Sequence, residues 1–274
     1  MNVVGYIIWN PNPELFSIGS FAIKYYGLSY VLAFIVGFFL VEKMFKHDNA
    51  PLEWFYKGYI FFLLGIVIGG RLGHVFFYEW NYYSHHPYEI LMIWKPGMAS
   101  HGAAIGVILG LIIFSFTIPK RPVLWFLDYA ALPTGIGAVF VRLGNLMNSE
   151  IVGSVTDVPW AFIFKKALVI NPLLPRHPAQ IYEAIFYLIT FIVMVYLYWR
   201  TDARKRLGLI FGVCLAGIFV SRFFIEFFKE NQTTFESVMI LNMGQLLSIP
   251  MALLGIFLII RAFRKPMVEI ERLI

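Results

Sequence analysis

Long apolar runs alternate along the chain with short polar connectors, and seven runs reach the ~20 residues that a helix needs to cross a bilayer. They cover 22–41, 56–77, 99–118, 124–147, 179–199, 207–228 and 240–261. The pattern predicts an all-α, polytopic membrane protein of about seven transmembrane helices, organised as one integral membrane domain over 1–274. Gly65, Gly69 and Gly73 recur every four residues in the second run, and Gly102, Gly106 and Gly110 do so in the third. Small residues at that spacing form faces on which two helix backbones approach closely.

Composition narrows the class further. The 274 residues are 59% hydrophobic, 18% aromatic and 14% charged, where a soluble domain carries about 25% charged residues. The formal net charge of +6 reads as topology rather than nucleic-acid affinity, because Lys and Arg gather in particular loops. An odd number of spans puts the termini on opposite sides. With the N-terminus outside, the inner connectors hold thirteen Lys and Arg, from Lys43 to Arg272, against seven outside, from Lys24 to Lys229. That asymmetry predicts an external N-terminus and a cytoplasmic C-terminus. The one cysteine, Cys214, lies inside an apolar run, so no disulfide framework or paired-cysteine metal motif is expected. The N-terminal stretch M-N-V-V-G-Y lacks a basic n-region and a small-residue cleavage site, and no removable signal peptide is read from it.

Against this background the polar residues inside the runs stand out. R-L-G-N-L-M-N-S-E-I-V-G, from Arg142 to Gly153, closes the fourth run. Arginine, asparagine and glutamate are costly at membrane depth. At helical pitch Arg142, Asn145 and Ser149 share a face, with Glu150 about a turn beyond. G-R-L-G-H at 70–74 is a short echo of V-R-L-G-N at 141–145. With the predicted orientation, Tyr26, Arg71, His101, Arg142, Asn145, His177, Gln180, Glu183, Arg222, Glu226 and Gln245 all fall toward the outer ends of their spans. A transporter spreads such groups near the midplane; gathering at one face suits a site for a lipid headgroup and a partner arriving from outside. Two or three arginines in an apolar surround bind phosphate well, since each guanidinium is always charged and offers a planar fork. His101 is the group there whose ordinary pKa permits proton transfer near neutrality. A helix-packing ion pair is the alternative for any one of these residues, and it is the preferred reading for Arg222 with Glu226. No metal site and no cofactor is expected.

These segments resemble the prolipoprotein diacylglyceryl transferases. The resemblance is carried by K-Y-Y-G-L-S-Y at 24–30, G-R-L-G-H-V-F-F-Y at 70–78, H-G-A-A-I-G at 101–106 and the segment 142–153. R-H-P-A-Q-I-Y-E at 176–183, R-F-F-I-E-F-F at 222–228 and M-G-Q-L-L-S-I-P-M at 243–251 complete it. It implies an enzyme of the bacterial inner membrane, multi-pass, with its active site toward the outer leaflet and no cofactor. Its substrates would be phosphatidylglycerol and prolipoprotein signal peptides bearing a lipobox cysteine, in contact with membrane lipid and not with nucleic acid. The diacylglyceryl group moves to the thiol, a thioether forms and glycerol phosphate leaves. Carried over by motif, His101, Arg142 and Arg222 are the expected catalytic residues. Tyr26, Asn145, Glu150, Gly153 and Glu226, with Arg142, are expected to bind substrate. Two positions depart from the family pattern: Ala103 stands where the histidine motif usually has glycine, and Ile218 where some members place a tyrosine.

The mechanism expected has the arginines holding the phosphate while His101 takes the thiol proton and the thiolate attacks. A transporter or flippase for an anionic lipid or metabolite would use the same arginines, but the polar groups lie on one side and no half of the chain is clearly repeated. An intramembrane protease is disfavoured, since no G-x-S-G stretch and no aspartate pair lies within the spans.

Overall fold

The computed structural model describes residues 5–19, 21–230, 239–270 and 273. Arg272 and the first four residues of the N-terminal stretch lie outside them. The long elements are helices: α1 (Tyr25–His47), α2 (Leu52–Phe77), the single turn α3 (Trp80–Tyr83), α4 (Ser100–Thr117), α5 (Val123–Met147), α6 (Ala179–Arg200), α7 (Leu209–Ile225) and α8 (Met243–Arg264). Among the described residues, six helices are long and apolar enough to cross a membrane: α1, α2, α5, α6, α8, and α7 with the 3-10 turn that continues it to Phe228. The third expected span is the shorter apolar helix α4. Four short strands were not expected: β1 (Ile7–Trp9), β2 (Glu14–Ile18), β3 (Phe21–Lys24) and β4 (Phe162–Phe164). β1 runs parallel to β4, with Ile7 opposite Phe162, and β2 pairs antiparallel with β3. At three to five residues each, they are too short for alternation to show in sequence, and β3 takes residues assigned to the first span.

By internal contacts the chain falls into two compact units, one of residues 42–127 and 269–274, the other of 1–41 and 128–268. The first is built on α2 and α4, packed through the glycines that the sequence pattern singled out. A methyl added at Gly69 would lie 2.4 Å from the Gly102 carbonyl oxygen and 2.7 Å from Gly106 Cα; one at Gly65 would lie 2.6 Å from the Gly106 carbonyl oxygen. Backbone thus rests directly on backbone, the contact that replaces hydrophobic burial between helices in lipid. Phe45, Phe55, Phe114, Trp125 and Phe126 form the buried aromatic core of this unit.

In the second unit α6, α7 and α8 pack side by side, with Gly212 of α7 against the Gly255 carbonyl of α8 (2.9 Å from an added methyl). Pro133 inside α5 sits against Gly37 of α1. The first turn of α7 has no capping side chain of its own, because Gly208 precedes it in the left-handed region (φ 85°). The Asp128 carboxylate of α5 accepts from the Gly208 and Phe211 amides at 2.6 and 2.8 Å. It thereby supplies the acceptors that the first amides of a helix lack. At the end of α5, Leu146 clusters with Val152, Phe162, Phe164 and Ala167, packed by Trp9, whose Nε1 donates to the Leu146 carbonyl at 2.8 Å.

Gly69→Val is expected to force α2 and α4 apart and to cost about 1–3 kcal/mol or more, as overpacked sites do. Gly137→Ala, whose added methyl meets only ordinary contact at 3.8 Å, should leave stability unchanged or raised. Thermal unfolding of the detergent-solubilised protein distinguishes the two.

Candidate functional site

α5 ends at Met147, and the polar segment continues as a tight turn rather than as helix. Ser149 and Ile151 both adopt φ of 55°, and the Glu150 amide bonds back to the Asn145 carbonyl at 2.9 Å. The helical face expected to hold Arg142, Asn145 and Ser149 therefore stops short of Ser149. The turn swings Glu150 back, so that its carboxylate accepts from the side-chain amides of Asn145 (3.2 Å) and Asn148 (3.1 Å). Its backbone carbonyl accepts from Gln180 Nε2 at 2.6 Å.

From there a chain of alternating charges runs inward. Arg142 Nη1 donates to Asn145 Oδ1 at 3.2 Å, and its Nε lies 2.9 Å from Glu183 Oε2 of α6, a close ion pair without hydrogen-bond alignment. The guanidinium also sits over the Tyr187 ring, 5.9 Å from its centroid. Glu183 is 0% exposed. Its Oε1 accepts from the Tyr187 hydroxyl and from Lys229 Nζ, both at 3.0 Å. Lys229, equally buried, donates to Glu226 Oε2 at 2.8 Å, and Glu226 in turn stands 4.0 Å from Arg222 Nε. Gly244 of α8 makes room for the Glu226 carboxylate, since a methyl there would lie 2.5 Å from it. A buried carboxylate survives only with partners of this kind.

The structure thus joins Arg142, Asn145, Glu150, Arg222 and Glu226 in one network. Tyr26 sits beside it: Gly144 packs against the Tyr26 ring and Ser29 Oγ, and the Tyr26 hydroxyl meets that of Tyr30 at 3.0 Å. Gly153 serves packing. Its amide bonds the His177 carbonyl at 2.9 Å, it bridges Lys229, and an added methyl would strike the His177 and Phe228 carbonyls. Only glycine lets the segment carrying Lys229 come so near. His101 belongs to the other unit, exposed in the first turn of α4, and no hydrogen bond from a described residue reaches its ring.

Two expectations change, and two residues of the network were not singled out by sequence. Glu226, paired by sequence with Arg222, has Lys229 as its close partner. Lys229 had been counted only as a loop cation, although its spacing from Glu226 (i,i+3) places both on one face. Tyr187 was missed altogether. Arg71, grouped by depth with the other polar residues, turns its donors to the carbonyls of Glu89, Ile90, Pro96 and Gly97 at 2.7–3.2 Å, beneath the Tyr83 ring. It organises a loop. Gln245 caps α8 reciprocally with Asn242, and Arg176 holds Glu230 and the Gly153 and Ile170 carbonyls.

Sequence comparison places the chain among known proteins. A family model described as prolipoprotein diacylglyceryl transferase matches residues 13–261. The phosphatidylglycerol–prolipoprotein diacylglyceryl transferase of Chloroherpeton thalassium is 41% identical over 269 residues, covering 98% of this chain and 99% of that one. The enzyme of the same name from Porphyromonas gingivalis is 43% identical over 280 residues, with 98% and 99% coverage. That from Bacteroides fragilis is 42% identical over 268 residues, covering 93% and 95%.

Removing one member of the buried relay strands the others. Glu183→Ala and Lys229→Met should each cost about 3–5 kcal/mol, whereas the double variant should cost less than their sum; unfolding midpoints of all three check this. Burial against Tyr182 and Phe228 lowers the His177 pKa. The native state therefore disfavours the imidazolium, and stability present above the ordinary value of 6.5 should fall as pH drops below it. His177→Phe should flatten that acid limb in a pH series of melting curves.

Proposed function

The chain belongs to the prolipoprotein diacylglyceryl transferase family, and on that premise we propose that it moves the diacylglyceryl group of phosphatidylglycerol onto the lipobox cysteine of prolipoproteins. The observation that carries this reading is the open end of the buried relay. Arg142 and Lys229 are met by the carboxylates of Glu183 and Glu226, and Arg222 stands at the edge, 4.0 Å from Glu226. Arg222 makes no hydrogen bond to a described residue and is about a third exposed, so its fork is open to an anion. Arg142 is oriented from three sides by Asn145, Glu183 and Tyr187. A rigid guanidinium is what stabilisation of developing charge requires.

In the reaction the cysteine thiolate attacks the glycerol carbon that bears the phosphate. A sulfur–carbon bond forms, the carbon–oxygen bond to phosphate breaks, and glycerol phosphate departs with the electron pair, its charge met by Arg142 and Arg222. We assign the thiol proton to His101 on the chemistry of its imidazole. Glu150 and Asn145 hold Arg142 at the headgroup, with Tyr26 beside them. Cys214 takes no part: it is buried in α7, its thiol directed at the Ala131 carbonyl. The excess of Lys and Arg in alternate loops supports an inner-membrane protein with an external N-terminus, a cytoplasmic C-terminus and a site toward the outer leaflet.

Purified protein, phosphatidylglycerol and a lipobox peptide should together give a peptide gaining one diacylglyceryl mass, with equimolar glycerol phosphate. Arg142→Ala is expected to lower this rate by about 10²–10³-fold with the protein still folded; near-normal transfer would remove the phosphate role. His101→Gln with undiminished kcat would remove the proton from its account.

A further inference from the structure

Between β4 and α6 the chain carries an aliphatic tip for which the transfer chemistry has no use. In A-L-V-I, residues 167–170, side chains alternate as they do along a strand. Ala167 is buried and Val169 packs against the Leu146 cluster, while Leu168 and Ile170 take the outward positions. Leu168 is fully exposed and Ile170 is 91% exposed; Leu173 and Leu174, beyond the turn, are exposed as well. Positions that face water in such an alternation are ordinarily polar. Here they are large aliphatics.

The tip is held in place. Asn171 turns the chain at φ 55°, and its side-chain oxygen accepts from the Leu173 amide at 3.3 Å. Pro172 and Pro175 restrict the backbone on either side of the two leucines. Arg176, itself buried, donates to the Ile170 carbonyl at 2.9 Å and to the Gly153 carbonyl at 3.3 Å. Apolar side chains gathered on one exposed surface mark a contact with something apolar.

Shape and charge select the partner. A peptide or small ligand is held in a concave site, whereas the near-complete exposure of Leu168 and Ile170 means that they project beyond their neighbours. Convex aliphatics fit a fluid apolar medium. Lys165 and Lys166 stand exposed at the base of the tip, and Lys166 gives only one of its three donors to the Pro11 carbonyl, at 2.6 Å. No carboxylate occurs from Lys165 through Arg176. Glu150 and Glu230 line the cavity beside Lys166, but they accept from Asn145 and Asn148 and from Arg176. Aliphatics ahead of a collar of lysines suit the headgroup layer of an anionic bilayer. The segment also leaves one span, α5, and returns to another, α6, so it starts and finishes at one membrane surface.

We propose that the tip of residues 168–174 is seated in the leaflet at which α5 ends and α6 begins, with Lys165 and Lys166 on its anionic headgroups. The proposal goes beyond the transferase reading and requires only that the chain spans a bilayer. Arg176 ties the tip to Gly153, which bridges Lys229. A seated tip therefore fixes the depth of the buried relay relative to the headgroups.

The test measures depth directly. Ile170→Cys is labelled with a nitrobenzoxadiazole dye, the native Cys214 being buried, and reconstituted in vesicles of phosphatidylcholine and phosphatidylglycerol. Asp157→Cys, at an exposed polar position before β4, is the reference. Nitroxides carried on lipid acyl chains should quench the dye at 170 several-fold more than at 157, and aqueous iodide should do the reverse. Leu168→Cys, a second position on the tip, should behave as 170 does. In phosphatidylcholine alone the lipid quenching at 170 should weaken; no change would remove the lysines from the account. Iodide quenching at 170 as strong as at 157 would overturn the assignment. So would shielding at 170 that arises only when a lipobox peptide is added, which would make the tip a platform for peptide.

Discussion

A carboxylate cannot be kept ionised in an apolar helix bundle unless cations and hydrogen-bond donors meet it there. Glu183 is the residue at which that constraint is met most completely. It takes an ion pair from α5, a hydroxyl from its own helix and an ammonium from the segment after α7. Much around it exists to deliver those partners. Gly153 and Gly244 let neighbouring backbones close on the segment carrying Glu226 and Lys229, and the Tyr187 ring lies under the guanidinium. Arg142 is aimed as a result, and an arginine that is aimed can meet charge that develops during a reaction without first reorganising.

The two units use different cohesion. In the unit of residues 42–127, α2 and α4 meet through glycine, backbone on backbone, with no charge at the contact. In the other, a polar relay links helices that also pack apolar surface. The first device is geometric and tolerates no added atom. The second is electrostatic and tolerates no missing partner. Neither relies on a hydrophobic driving force, which lipid does not supply between helices.

Much of this was legible in the sequence because membrane helices announce themselves by length and apolarity. The glycine faces were legible because their spacing has a single geometric use. What escaped detection depends on tertiary partners or on turns without a marker residue. The stretch 148–151 reverses the chain with no glycine in it, so helical spacing carried Ser149 onto the wrong surface. Lys229 looked like a loop cation because its two carboxylates come from different segments. R-L-G at 71–73 and at 142–144 is the same word in sequence. Yet Arg71 binds four carbonyls of a neighbouring loop, while Arg142 faces a glutamate from another helix.

The Asp128 carboxylate gives α7 the cap that its own sequence lacks, across 80 and 83 residues of chain. During synthesis α5 is complete well before residue 208 emerges, so the acceptor is already in place when the first amides of α7 need one. The order matters, because unbonded amides at a helix start carry their full desolvation cost in an apolar medium. A C-terminal fragment beginning in the loop before α7 would contain every residue of that helix and still lack its starting point. The boundary of this helix is therefore a property inherited from an earlier part of the chain, and any scheme that divides the protein between those two helices divides one helix from its own first turn.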